Sequence, residues 1–178
     1  MVDFDNIVER CVQAVAETEP RLAIREVLEK AMAEPARASV EPRPGLNFLH
    51  RSPELTIIDV IWPPMMTLFP HDHRMWAAIG IYGGQERNSF FRRQDDRIVP
   101  SGGKDLSERD VLLLGDDAIH SVHNPGRNYT GAIHVYGGDF VAEPRSQWDP
   151  ETLSEEPWEL AAVEREFARA EEAARRDA

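Results

Sequence analysis

Apolar residues near the N-terminus recur at helical spacing. In the first stretch they fall at i, i+1, i+4, i+5 and i+8, which places them on one face of an amphipathic helix. These positions are Ile7, Val8, Cys11, Val12 and Val15. After Pro20 a second stretch has a broader apolar face, formed by Leu22, Ile24, Val27, Leu28 and Ala31. The pattern predicts two helices within residues 4–33, with Cys11 as a buried small apolar residue rather than a reactive thiol.

Residues 34–47 carry prolines and a glycine without a sustained period, which predicts a linker. Beyond it the pattern changes to short runs rich in β-branched and aromatic residues, separated by glycine and proline. The predicted strands are 55–62, 76–82, 86–93, 111–114, 118–123 and 131–136. Gly83-Gly84 is predicted as the hairpin turn between the second and third of these strands, and Ser101-Gly102-Gly103 as another turn. Short strands of this kind favour a β-sandwich or barrel over an α/β sheet.

The last segment returns to helical spacing. Its narrow apolar stripe within 154–176 consists of Leu160, Val163, Phe167, Ala170 and Ala174, and charged residues fill most other positions. Pro157 suits the first turn of this helix. The chain is therefore predicted to be a single domain over 1–178, mainly β, with a helical prefix and linker at 1–44, a barrel at 45–142 and a C-terminal helical tail at 143–178.

Composition and charge narrow the function classes. The 178 residues carry a formal net charge of -12, which argues against nucleic acid and anionic membrane surfaces as partners. The sequence shows neither an apolar run of membrane-spanning length nor the basic start and apolar core of a signal peptide. A single cysteine excludes an internal disulfide and fits a reducing compartment. We therefore expect a cytoplasmic protein, and both monomer and homodimer remain open.

The histidines carry the candidate chemistry. His71 and His73 are two residues apart next to a predicted strand, and residues i and i+2 of a strand point to the same face. His120, on a later strand, is the best candidate for a third ligand, with His134 as the competing choice. Three imidazoles on one side of a divalent ion leave the opposite coordination positions open. Imidazole suits Fe, Zn, Cu and Ni alike, so the histidines do not select the metal.

Carboxylates are not expected among the ligands. The positions four and five residues after His73 are Ala77 and Ala78, and Glu86 is expected to lie past the hairpin turn, out of reach. Asp72 lies between the two histidines and should point to the opposite face. A site with histidines alone keeps the full charge of the ion, which favours anionic donors such as a thiolate.

The remaining histidines fall into two groups. His123 should face away from His120, and His50 is expected to be structural. His134 and Tyr136 are two residues apart and share a strand face. If that face is the interior, His134 can orient the Tyr136 hydroxyl, which can donate a hydrogen bond or a proton to bound oxygen. The alternative is that both are ordinary interior residues.

The sequence resembles the cysteine dioxygenase family, the thiol dioxygenases of the cupin superfamily. The resemblance rests on LTIIDVIW ending in Trp62, PHDH at 70–73, AIHSVHN with His120 and Asn124, and AIHVY ending in Tyr136. It covers roughly residues 45–140. It implies a jelly-roll barrel that binds Fe(II) through His71, His73 and His120, with His134 and Tyr136 beside the metal. It also implies conversion of a small thiol and O2 to the sulfinic acid.

Three departures from the family bear on the substrate. Ala78 stands where mammalian-type members have the cysteine that crosslinks to the tyrosine, and Ala132 replaces the serine of the Ser-x-His-x-Tyr relay. The arginine that binds the substrate carboxylate does not align, and Arg51, Arg43 and Arg74 are candidates. Trp76, with Trp62, Phe69 and Met75, either lines an apolar substrate pocket or packs in the core.

The substrate and the reaction class stay open at this stage. Cysteine, 3-mercaptopropionate and cysteamine are all candidate thiols. One rival function is a cupin hydrolase or isomerase that uses another divalent metal, such as Zn or Ni, at the same histidines. A second rival is a non-catalytic cupin that senses a ligand.

Overall fold

A computed structural model of the chain describes residues 2–33, 40 and 43–176. The helices are α1 (Phe4–Ala14), α2 (Pro20–Ala33) and α3 (Leu160–Arg176). The strands are β1 (Gly45–Arg51), β2 (Thr56–Trp62), β3 (Thr67–Asp72), β4 (Ala77–Gly83), β5 (Gln85–Gln94), β6 (Arg97–Ser107), β7 (Val111–Leu114), β8 (Ile119–His123), β9 (Thr130–Tyr136), β10 (Ser146–Trp148) and β11 (Glu155–Pro157). The predicted linker lies largely outside the described residues, and its end belongs to β1. None of the helices within the described ranges is long and apolar enough to cross a membrane.

The strands form two antiparallel sheets whose order defines the fold. One sheet has the order β1-β2-β9-β4-β7 and the other β11-β10-β3-β8-β5-β6. Apart from the β5–β6 hairpin, each successive strand from β2 to β9 crosses to the other sheet. The resulting pair of four-stranded cores, β2-β9-β4-β7 and β3-β8-β5-β6, is the strand order of a double-stranded β-helix, or jelly roll. The predicted mainly β jelly roll with N-terminal helices and a C-terminal helix is confirmed.

The central strands β2, β9 and β4 of the first sheet are buried on both faces, which explains their nearly continuous apolar sequences. On β4, Ala77, Ile79 and Ile81 contribute to the barrel interior, whereas Ala78 and Tyr82 belong to the core beneath α1 and α2. Helix α2 crosses β4 at Gly80, where an added Cβ would lie 3.2 Å from Met32 Cγ. Cys11 is fully buried in the same helical core, as predicted, and burial raises the pKa of its thiol to about 12.

Two predicted turns are wrong. Gly83-Gly84 does not form a hairpin, because β4 and β5 belong to different sheets. Gly84 has a φ of +84° and passes so close to Thr130 that a side chain has no room there. The Ser101-Gly102-Gly103 segment lies inside β6, at an irregularity in its pairing with β5. The actual β5–β6 turn contains Asp95 with a φ of 54°.

The C-terminal segment differs from the prediction at its start. Strands β10 and β11 extend the second sheet, and Pro157 ends β11 instead of opening the helix. Helix α3 begins at Leu160, and its buried residues Ala162, Val163 and Phe167 pack into the core of the barrel. The Phe167 ring stacks on Trp62 with centroids 5.1 Å apart and an interplanar angle of 19°.

We predict that Phe167→Ala lowers the free energy of unfolding by about 3–5 kcal/mol, because it removes a buried aromatic ring from the contact between α3 and the barrel. Urea unfolding followed by circular dichroism measures the change. The exposed Glu164, on the same helix, provides the control variant Glu164→Ala, which should change the stability by less than about 0.5 kcal/mol. Equal stabilities for the two variants would contradict the packing described here.

Candidate metal centre

Two neighbouring strands bring the three predicted histidines together. His71 lies on β3 and pairs directly with His120 of β8 in the antiparallel register. His73 lies immediately beyond the end of β3. The strand predicted after this pair is present as β4, and a further strand that the sequence did not predict, β3, carries His71. All three side chains are at least 95% buried in the barrel.

The three imidazoles converge on one point. His73 Nε2 lies 3.2 Å from His71 Nε2 and 3.2 Å from His120 Nε2. Two nitrogens that each bind one ion at 2.0–2.1 Å, at an angle of about 90–110°, are about 2.9–3.4 Å apart. In the described part of the chain, these three residues are the group whose ligand atoms all lie within 4.8 Å of one another. The nitrogens are therefore positioned to hold one metal ion.

Hydrogen bonds on the outer side of two rings leave the inner nitrogens free to coordinate. His71 Nδ1 donates to the Phe69 carbonyl oxygen at 3.1 Å, and His120 Nδ1 is 2.6 Å from Asn88 Oδ1. Both oxygens accept, so each Nδ1 carries the ring proton and each Nε2 presents its lone pair. His73 Nδ1 is buried and lacks a hydrogen-bond partner among the described residues.

Electrostatics favour the metal-binding form of these rings. Burial, opposed in part by the Phe69 carbonyl, lowers the pKa of His71 to about 4. Burial, reinforced by the neighbouring histidines, holds the pKa of His73 and of His120 well below the usual range. The three rings are therefore neutral at physiological pH, as metal coordination requires.

His134 and Tyr136 share the interior face of β9, as alternation predicted. The Tyr136 hydroxyl lies 3.1 Å from His134 Nδ1. The Tyr136 ring is 4.9 Å from the His73 ring and stands nearly perpendicular to it. Burial raises the pKa of the Tyr136 hydroxyl well above its usual value, so the phenol keeps its proton. The Tyr136 ring thus packs beside the candidate metal site, and its protonated hydroxyl contacts His134.

Two side chains near the histidines point elsewhere, as expected. Asp72 accepts the Ser146 backbone N–H at 2.8 Å and pairs with Arg74 at 2.7 Å. His123 has its Nδ1 within 2.9 Å of Thr67 Oγ1 and 3.1 Å of the Met66 carbonyl oxygen. Neither belongs to the converging group of imidazoles.

The expectation for Glu86 is wrong in part. Glu86 is not one of the converging ligands, but its carboxylate lies in the barrel interior, 1% exposed. It accepts hydrogen bonds from Trp62 Nε1 and Asn88 Nδ2, both at 2.9 Å, and lies 3.5 Å from His134 Nε2. The error follows from the hairpin prediction, because β5 in fact pairs with β8 and so runs beside His120.

An arginine that the sequence did not single out lies near the site. The Arg145 guanidinium, 7% exposed, sits over the Trp158 ring at 3.5 Å and the Phe140 ring at 4.0 Å. Its Nη1 donates to the Phe140 carbonyl oxygen, while Nε and Nη2 are buried without a hydrogen-bond partner in the described ranges. Burial lowers the pKa of Arg145 to about 10, so it stays charged at neutral pH.

The predicted substrate-binding arginines pair with carboxylates or are exposed, and Trp76 packs against the helical core. Arg51 makes a bidentate pair with Asp139 at 2.8 and 3.0 Å, with 45% of its side chain exposed. Arg74 pairs with Asp72 and is 47% exposed. Arg43 is also exposed. Trp76 packs on the helix side of the first sheet, because the strand alternation that turns Ala77 inward turns its neighbour outward.

A small interior cavity adjoins the centre. Its lining includes His71, His120, His134, Tyr136 and Phe140, together with Trp62 and Trp158. Its volume of about 20 Å³ is room for roughly one water molecule. Phe69 and Met75 belong to the surrounding core rather than to this lining. Only a small ligand suits this site, and lining side chains must move to admit one larger than water.

Comparison with known proteins gives weak matches. No protein-family model matches the sequence. A protein from Bacillus halodurans shares 14% identity over 60% of this chain and 84% of its own, with a TM-score of 0.49. An RmlC-like cupin family protein with a double-stranded β-helix fold, from Methanocaldococcus jannaschii, shares 10% identity over 61% of this chain and 94% of its own, with a TM-score of 0.46. A mutant of the Bacillus subtilis oxalate decarboxylase shares 16% identity over 49% of this chain and 22% of its own, with a TM-score of 0.41.

Because all these TM-scores are below 0.5, the fold is assigned from the strand order of the chain itself. Its strand order is that of a double-stranded β-helix, the fold of the cupins. Three buried histidines inside that barrel are positioned to hold a metal ion.

Proposed function

We propose that the protein is a non-haem Fe(II) thiol dioxygenase that converts a small thiol and O2 to the sulfinic acid. In this reaction R–SH and O2 give R–SO2H, so both oxygen atoms enter the product and sulfur provides the electrons that reduce O2. His71, His73 and His120 would hold the iron, which supplies open positions where thiolate and O2 meet.

The observation that carries the proposal is a converging set of neutral imidazoles without a carboxylate in it. Such ligands leave the full charge of a divalent ion uncompensated, and this charge favours a thiolate over a neutral donor. The buried carboxylate of Glu86 instead accepts hydrogen bonds from Trp62 and Asn88. Tyr136 supports oxygen chemistry further, because its ring packs beside the His73 ring and its protonated hydroxyl contacts His134.

Arg145 suggests a substrate with a carboxylate. A buried guanidinium with two unpartnered nitrogens is costly, and a carboxylate that accepts from both relieves that cost. The rings under the guanidinium, Phe140 and Trp158, also line the cavity beside the histidines. A small ω-carboxylated thiol such as 3-mercaptopropionate or cysteine could reach the metal with its sulfur and Arg145 with its carboxylate.

The test uses protein loaded anaerobically with Fe(II) and a panel of thiols with and without a carboxylate. An oxygen electrode records thiol-dependent O2 uptake, and mass spectrometry with 18O2 measures the gain of two oxygen atoms. We expect uptake and a doubly labelled sulfinic acid for at least one carboxylated thiol. Iron-loaded protein that consumes no O2 with any thiol would overturn the proposal in favour of a hydrolase or isomerase with another metal, or a ligand sensor.

For Arg145→Gln we predict a KM for 3-mercaptopropionate about 10- to 100-fold higher, from the loss of a charged hydrogen bond worth about 1.5–3 kcal/mol. Cysteamine, which has no carboxylate, should show little change, and steady-state O2 uptake measures both. Arg51→Gln is the control, since Arg51 pairs with Asp139 on the surface. Equal KM changes for the two thiols would remove Arg145 from carboxylate binding.

A further inference from the structure

A buried carboxylate connects the candidate metal site to the tyrosine beside it. Glu86 is 1% exposed and lies in an apolar interior, where an ionised group is costly unless hydrogen bonds compensate it. Oε1 accepts from Asn88 Nδ2, and Oε2 accepts from Trp62 Nε1, both at 2.9 Å. His134 Nε2, a buried nitrogen without a hydrogen-bond partner among the described residues, is 3.5 Å from Oε2.

One side of this carboxylate determines how the Asn88 amide is oriented. Because Nδ2 donates to Glu86, Oδ1 must face the other way, toward His120 Nδ1 at 2.6 Å. An amide oxygen can only accept, so His120 carries its ring proton on Nδ1 and directs the Nε2 lone pair at the other imidazoles. A flipped amide would present N–H to Nδ1 and move the ring proton to Nε2, where it would block coordination.

The other side of the carboxylate faces the His134–Tyr136 pair. A ring proton on His134 Nε2 points toward Glu86 Oε2, an acceptor 3.5 Å away. His134 Nδ1 is then unprotonated and accepts from the Tyr136 hydroxyl at 3.1 Å. The carboxylate thus favours the tautomer of His134 that directs the phenol proton toward the imidazole.

We infer that Glu86 is a positioning residue that sets the ring proton of His120, through Asn88, and the ring proton of His134. This inference rests on the proposed function for its role in metal binding. It identifies one side chain that prepares both a metal ligand and the tyrosine, although it coordinates neither the metal nor the substrate.

The variant Glu86→Gln tests the link from Glu86 through Asn88 to His120, with almost no change in the shape of the side chain. Trp62 Nε1 can only donate, so the glutamine oxygen should face it and the glutamine NH2 should face Asn88. Asn88 must then flip, and His120 should become the Nε2–H tautomer in metal-free protein. We expect Zn²⁺ binding, measured in competition with a chromophoric chelator, to weaken about 10- to 100-fold.

A second substitution should restore the arrangement. In Glu86→Gln with Asn88→Asp, the aspartate can accept both from the glutamine NH2 and from His120 Nδ1–H. The Nδ1–H tautomer and the Zn²⁺ affinity should therefore return to near the wild-type values. The exposed Glu108 supplies a matched control, Glu108→Gln, which should change neither quantity.

Long-range 1H–15N spectra of the histidine rings in metal-free protein provide a readout independent of activity. The inference requires Nδ1–H at His120 and Nε2–H at His134 in the wild type, so it remains testable if a variant fails to fold. The opposite tautomer at either ring, or an unchanged His120 tautomer in folded Glu86→Gln, would overturn it. Wild-type protein that binds no Zn²⁺ would instead count against the proposed metal centre, while the spectra would still decide the role of Glu86.

Discussion

His120→Ala is expected to abolish iron retention and, with it, thiol-dependent O2 uptake. The substitution removes one of the three converging nitrogens, which lies 3.2 Å from His73 Nε2, and leaves Asn88 Oδ1 without its donor. Loss of a residue that only orients a ligand typically weakens metal binding 10- to 100-fold, so loss of the ligand itself should cost more than about 100-fold. Metal analysis of anaerobically loaded and desalted protein measures the retained iron.

His123→Ala is the matched control for this prediction. It lies on the same strand three residues further on, and its ring contacts Thr67 and Met66 away from the site. It should keep full iron and activity. Full iron in His120→Ala would make the ligand assignment wrong and would return His134 as the candidate third ligand, which His134→Ala then tests.

Strand alternation made the His134–Tyr136 pair beside the candidate metal centre predictable. His134 and Tyr136 share the interior face of β9 because residues two apart always share a face of a strand. The same rule separated His120 from His123. Such predictions need only the local backbone, so they hold without knowledge of which strands pair.

Errors arose where the answer depends on strand pairing. Gly83-Gly84 looks locally like a hairpin turn, but the jelly roll sends β4 and β5 into different sheets. That single error removed Glu86 from the expected site, although its strand in fact lies beside His120. The side of the sheet on which Trp76 packs was not predictable for a related reason, because only the placement of α1 and α2 shows which face of β4 is the barrel interior.

Arg145 carries no local signal of its role. It lies just before the short strand β10, in a segment without a helical or strand period. Only the folded chain brings its guanidinium onto Phe140 and Trp158. Arg51 and Arg74, by contrast, satisfy their charges in pairs with Asp139 and Asp72. The distinguishing property of Arg145 is a buried charge with two nitrogens that lack a hydrogen-bond partner among the described residues, which a sequence does not show.

Tyr136→Phe is expected to keep the metal and slow turnover. The phenyl ring preserves the packing against His73, at 4.9 Å, and Phe140, at 4.3 Å, while the hydroxyl and its contact with His134 are lost. A positioned proton donor typically contributes 10²–10⁴-fold to rate, so kcat should fall by at least about 100-fold. Because the three histidines supply the converging ligand atoms and remain in this variant, iron content should stay at the wild-type level.

Tyr82→Phe separates this effect from the general loss of a buried hydroxyl. Tyr82 lies on the other face of the same sheet, where its hydroxyl donates to Asp59 at 2.8 Å. Its substitution should lower stability with little change in kcat, whereas Tyr136→Phe should lower kcat in a fully metal-loaded protein. In the described part of the chain, no other hydroxyl lies within hydrogen-bond distance of His134 and could replace that of Tyr136. A Tyr136→Phe variant with wild-type kcat would therefore show that the tyrosine only packs.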